Sequence, residues 1–159
     1  MDLADIIRAL KTDIEIGSWA NGHISRSSFP LSLAKSKNYK FGPEYCWRVV
    51  KFDCLGRSFR VLIVLNENKQ IYRATLGVEI ENDISVLCQH EFHASEPGWH
   101  CHLTLGAADG LPVGVVRSHL RRWPHHSAAH SRMEFKVDKA SGLTVAADLF
   151  RFSAQGGFI

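Results

Sequence analysis

Between positions 46 and 105 the chain alternates runs that favour extended backbone with segments too short for anything but a turn. The runs CWRVVKFD, RSFRVLIVL, QIYRATLGVEI, ISVLCQHEFH and WHCHLTL are rich in β-branched and aromatic residues, which pack well on a pleated surface. Only CLG, NENK, END and ASEPG separate them. A parallel pair needs a crossover of roughly a dozen residues or more, so such connections permit antiparallel neighbours alone. The stretch is expected to form a five-stranded meander. In RVLIVL both faces are apolar, the pattern of a strand covered on two sides. In QIYRATLGVEI, alternation puts Tyr72, Ala74, Leu76, Val78 and Ile80 toward a core and Arg73, Thr75 and Glu79 away from it.

The flanks read as helical or irregular. Leu3, Ile6, Ile7 and Leu10 have helical spacing over 2–13, with Asp2 as cap and Asp5 in the first turn. Val113, Val116, Leu120 and Trp123 form one stripe of an expected middle helix over 113–123, stopped by Pro124. MEFKV adds a short sixth strand. A terminal helix over 139–152 turns Leu143, Ala146, Ala147 and Phe150 inward, with Gly142 weakening its first turn. Residues 17–45 are punctuated by Gly, Ser, Asn and Pro, and read as an irregular, lid-like segment with a short helix near 31–36. The expected fold class is α+β: a curved antiparallel meander of five to six strands flanked by N-terminal, middle and C-terminal helices. With 159 residues, 45% of them hydrophobic, residues 1–159 suit a single globular domain.

Cys46, Cys54, Cys88 and Cys101 form no C-x-x-C pair and sit in apolar runs, as buried free thiols of a reducing compartment do. MDLADIIRALKTD carries acidic residues where a secretion signal needs basic ones, and no apolar run approaches the ~20 residues of a membrane helix. The expected location is cytoplasmic, with no membrane partner. A formal charge of +3 permits an anionic ligand without requiring one.

The chemistry concentrates at HEFHASEPGWHCH, positions 90–102, where four histidines and two glutamates fall within thirteen residues. Read as a hairpin, it must align apolar with apolar across its strands. Phe92 and Cys88 then share a face with Trp99 and Cys101, and Ile84, Val86 and His90 follow them. Glu91 and His93 share the other face with His100 and His102. Two registers satisfy this: Glu91 opposite His102, or Glu91 opposite His100. Either gathers three imidazoles and a carboxylate into one patch, with Gln89 and Thr104 beside it. Such groups ligate divalent metals and serve equally in metal-free acid–base chemistry.

Eight of the nine histidines lie between 90 and 130, and RSHLRRWPHHSAAHSR adds arginines, whose forks match phosphate geometry. GWHCHLTL resembles the histidine-hydrophobic-histidine strand of the HUH endonucleases, but none of Tyr39, Tyr45 and Tyr72 follows the motif as their nucleophile must. HLTL is similar to half of the two-histidine phosphoesterase pattern, through His102 and Thr104, without a second copy. H-x-H is also similar to the cupin metal motif, without its following glutamate. The expected function is a small phosphodiesterase or nuclease, a ribonuclease of the toxin or defence kind. His100, His102, Glu91 and His93 are its catalytic or metal-ligating groups, the metal being Zn, Mn or Mg. Arg117, Arg121, Arg122, His130 and Thr104 are its substrate contacts, and RNA or another phosphorylated ligand its partner. The rivals are a metal-dependent small-molecule enzyme on the same cluster and a non-enzymatic binding module.

Overall fold

The computed structural model describes residues 1–25, 28–30, 40–93, 96–114, 119–124 and 135–155. Helix α1 (Leu3–Arg8) leads into β1 (Thr12–Ile16) and β2 (Ala20–Asn21). Five long strands follow: β3 (Cys46–Cys54), β4 (Arg57–Asn66), β5 (Ile71–Ile80), β6 (Asp83–His93) and β7 (Glu96–Thr104). The short β8 (Leu120–Trp123) and helix α2 (Lys139–Phe150) complete the order. The strands form one eight-stranded sheet in the order β1-β3-β4-β5-β6-β7-β8, with β2 also pairing β3. The expected meander is its centre, and every pairing in it is antiparallel. The sheet is larger, and the described helices fewer, than the sequence suggested.

Local chemistry explains the elements. Asp2 and Asp5 form a reciprocal capping box on α1, satisfying backbone donors that a helix start leaves open. That helix stops at Arg8, short of the expected 13. Lys11 turns back and donates from Nζ to the carbonyls of Ile6, Ile7 and Ala9 at 2.5, 2.8 and 2.8 Å, and Thr12 starts a strand. Between β3 and β4, Leu55 and Gly56 have φ of 50° and 72°, a pair of positive values that suits the strand twist across a two-residue turn.

One sheet face carries the main core. Val50, Phe52, Phe59, Val61, Ile63, Leu65, Tyr72 and Leu76 pack with Ile6 of α1 and with Ala146, Ala147 and Phe150 of α2. Gly142 is buried in α2 because a Cβ there would come within 2.9 Å of Leu65 Cδ2. The glycine lets the helix approach the sheet. On the second face, Trp47, Val49, Leu62, Val64, Ile84, Val86 and Leu120 pack with Ile24, Phe29 and Phe41. The described part of 17–45 therefore supplies β2 and three buried anchors over that face. The helix expected near 31–36 lies outside the described residues.

Three expectations need correction. Within 113–123, Leu120–Trp123 is a strand on β7, not the end of a helix. Its burial alternates, with Leu120 inside and Trp123 63% exposed, and Val113 is also exposed. The apparent stripe faced no common surface, and pairing with β7 satisfies the backbone instead. Val116 and Arg117 lie outside the described residues. Phe135–Val137, the described part of MEFKV, joins no strand. Finally, Leu76 pairs with Cys88 but Gly77 pairs with Val86, leaving Leu87 as an extra residue in β6. This bulge reverses the alternation. Ile84 and Val86 belong to the second-face cluster, on the side of Glu91 rather than of Cys88. Gly77 permits it, since a Cβ there would meet Ile84 Cγ1 at 2.5 Å.

Candidate metal centre

Beyond the bulge, the second face of β5, β6, β7 and β8 presents two adjacent rungs. One aligns Arg73, Glu91 and His100; the next aligns Thr75, Gln89, His102 and Arg122. The register is the second of the two allowed, Glu91 opposite His100. A further irregularity between Phe92 and His93 sets His93 opposite Glu96.

Side chains converge on Glu91. His100 Nε2 lies 3.1 Å from Glu91 Oε2, and His102 Nε2 lies 3.9 Å from the same oxygen. The Nε of Arg73 is 3.6 Å from Oε1. Glu91 is 8% exposed and His100 2%. A carboxylate so far from water requires compensation, and its two oxygens divide the task, one toward the arginine and one toward the histidines. Behind them Gln89 Nε2 donates to Thr75 Oγ1 at 3.4 Å, both residues being buried.

One donor atom from each of Glu91, His100 and His102 lies within 4.8 Å of the other two. Tetrahedral zinc with bonds of ~2.0–2.2 Å holds neighbouring donors ~3.3 Å apart, so the spacings of 3.1 and 3.9 Å bracket that value. The donor set of two imidazoles and one carboxylate also suits iron or manganese. A divalent ion would take the lone pair of His100 Nε2, an atom that without the ion donates its N–H to the carboxylate, so proton and metal compete for it.

The remaining expected site residues divide. His93 is half-buried, its ring centroid 5.0 Å from that of His100 and perpendicular to it, beside the three-donor group rather than in it. Arg122 is opposite His102 on the same face. Arg121 is opposite Leu103 and exposed, so it projects from the other side and does not join the cluster. Thr104 is buried on the site face, opposite Leu120. Arg117 and His130 lie outside the described residues.

Sequence reasoning set Gln89 beside the site but had no role there for Arg73 or Thr75. Alternation put Arg73 on the outward face of β5, and only the register brings it to Glu91. His90 lies on the core side as expected, stacked on Trp99 at 4.5 Å and edge-on to Tyr72. Burial, reinforced by the neighbouring His100, pulls its pKa down to about 4, so its imidazole is neutral at neutral pH. Comparison with protein-family models, with curated proteins and with solved structures returned no match to this chain. Its chemistry is argued from the site alone.

Proposed function

We propose that this protein is a metal-dependent hydrolase of phosphate esters, with Glu91, His100 and His102 as the three protein ligands. The observation that carries the reading is the convergence of one carboxylate and two imidazoles within 4.8 Å of one another, two of the three residues being buried. Three protein ligands leave coordination positions open, as catalytic sites do and closed structural sites do not. A divalent ion there would supply Lewis acidity and a water acidified to near neutrality.

The protein side chains divide the remaining work. Arg73 engages Glu91 Oε1 and leaves Oε2 to act with the histidines, orienting the ligand from outside the coordination sphere. Arg122, beside His102 at the sheet margin, supplies positive charge for a phosphoryl oxygen. His93, against His100, is placed to deliver a proton to the leaving oxygen.

The test combines metal analysis with hydrolysis of bis(4-nitrophenyl) phosphate and of single-stranded RNA and DNA, with and without EDTA. The expected result is near-stoichiometric zinc, manganese or iron, and hydrolysis that EDTA removes and added metal restores. Replacing His100 and His102 with alanine should abolish it. A protein that takes up no divalent ion refutes the reading. A second reading rests on the 3.1 Å contact of His100 with Glu91, which also suits a metal-free ribonuclease. RNA cleavage that persists in EDTA, with DNA left intact because it lacks the 2′-hydroxyl nucleophile, selects it.

A further inference from the structure

The opposite face of the same hairpin carries a second group of reactive side chains. Cys88 is opposite Leu103 and Cys101 is opposite His90, so the two cysteines are diagonal neighbours on adjacent strands. Each thiol acts on the other's ionisation, Cys101 holding that of Cys88 up and Cys88 drawing that of Cys101 down. Cys88 is 3% exposed, whereas Cys101 is half-buried. Cys46 and Cys54 are both buried and occupy opposite ends of β3. The pair on β6 and β7 thus combines diagonal placement on adjacent strands with access to one of the two thiols.

We infer that Cys88 and Cys101 form an oxidisable dithiol site, which a peroxide converts to an intramolecular disulfide. Cys101, the accessible member, attacks a peroxide oxygen. The O–O bond breaks, the distal oxygen leaves as water after taking the thiol proton, and Cys101 becomes a sulfenic acid. Cys88 then attacks the Cys101 sulfur, the S–O bond breaks, and the hydroxyl leaves as a second water with the proton of Cys88. Two thiols and one hydrogen peroxide give one disulfide and two waters. The site needs no metal, so it stands whether or not the hydrolase reading does. It does bear on that hairpin, because Cys101 lies between His100 and His102. A covalent bond draws sulfurs to ~2 Å and ties together the two strands that carry the ligands.

The experiment treats the native, metal-free protein with hydrogen peroxide, blocks remaining thiols under denaturing conditions and maps peptides by mass spectrometry. The expected product is lighter by two hydrogens and links the peptides containing Cys88 and Cys101, with Cys46 and Cys54 still alkylated. Amide hydrogens of β6 and β7 should exchange at least tenfold more slowly in that product. Cys101→Ser should abolish the linkage. Because the mapping is made on the unmodified chain, the result does not depend on that variant folding. Oxidation of Cys101 to sulfinic acid with Cys88 still alkylated overturns the inference. So does a linkage through Cys46 or Cys54, or an unchanged mass.

Discussion

Replacing Glu91 with glutamine removes one charge at nearly constant shape and separates the two tasks assigned to that carboxylate. Without metal, the variant loses the ion pair with Arg73 at 3.6 Å. Coulomb's law at an effective dielectric of 20 makes that pair worth ~4.6 kcal/mol before solvation. Desolvation of both ions offsets most of it, and Arg73 keeps 23% of its side chain in water. The expected net loss is about 1–2 kcal/mol, or roughly 2–8 °C in Tm for a chain of this size. With metal the difference widens. A ligand at one hundred times its Kd stabilises the native state by ~2.7 kcal/mol, which raises the wild-type Tm by about 5–11 °C. An amide oxygen is a poor substitute for a carboxylate. If affinity falls a hundredfold, the same metal concentration stabilises the variant by only ~0.4 kcal/mol, a shift of about 1 °C. Differential scanning calorimetry of both proteins in EDTA and in zinc, manganese, cobalt and ferrous iron reads all four quantities. An equal metal-dependent rise in wild type and Glu91→Gln, or none in wild type with any ion, would refute the reasoning.

Arg122→Gln should leave the metal-dependent rise in Tm intact and raise KM for the phosphodiester about tenfold or more, the worth of one charge-assisted hydrogen bond; an unchanged KM in steady-state kinetics counts against its placement. Lys11→Met should destabilise the fold by about 2–3 kcal/mol, since three carbonyls lose a charged donor, and urea denaturation at constant m checks it. Gly77→Ala should cost about 1–3 kcal/mol through its collision with Ile84, and a wild-type denaturation midpoint would show that the bulge yields without strain.

The meander was legible because it rests on local signals. Strand formers between short turns leave the chain no other connection, and the grouping of Glu91 and His93 with His100 and His102 follows from two-residue periodicity near the hairpin tip. What failed was whatever needs a partner elsewhere in the sequence. Leu87 is an ordinary strand residue, and nothing near it announces that β5 skips a position opposite it. The parity error that began there affected Ile84 and Val86 but not Glu91, which lies past the bulge on the same side as His100. Leu120–Trp123 read as helical because LRRW has no strong preference of its own. Its state is decided by the open edge of β7, a surface that no local window contains. Arg73 reaches Glu91 through cross-strand register alone, which also escapes a reading of one strand at a time.

Among the described residues the sheet does not close on its own pairings, and its two margins determine how the molecule behaves among its neighbours. Along one margin, β1 is interrupted between Thr12 and Glu15, where Asp13 adopts a φ of 49°. At the other, β8 is four residues long and carries Arg121 and Arg122. Unpaired strand edges attract further chains, and irregular, short or charged edges discourage them. Strands β3 to β7, long and apolar enough to seed aggregation, therefore all lie behind paired neighbours. Concentrated solutions of the folded chain should resist edge-to-edge growth, and the hazard passes to the interval during folding before β1 and β8 have docked.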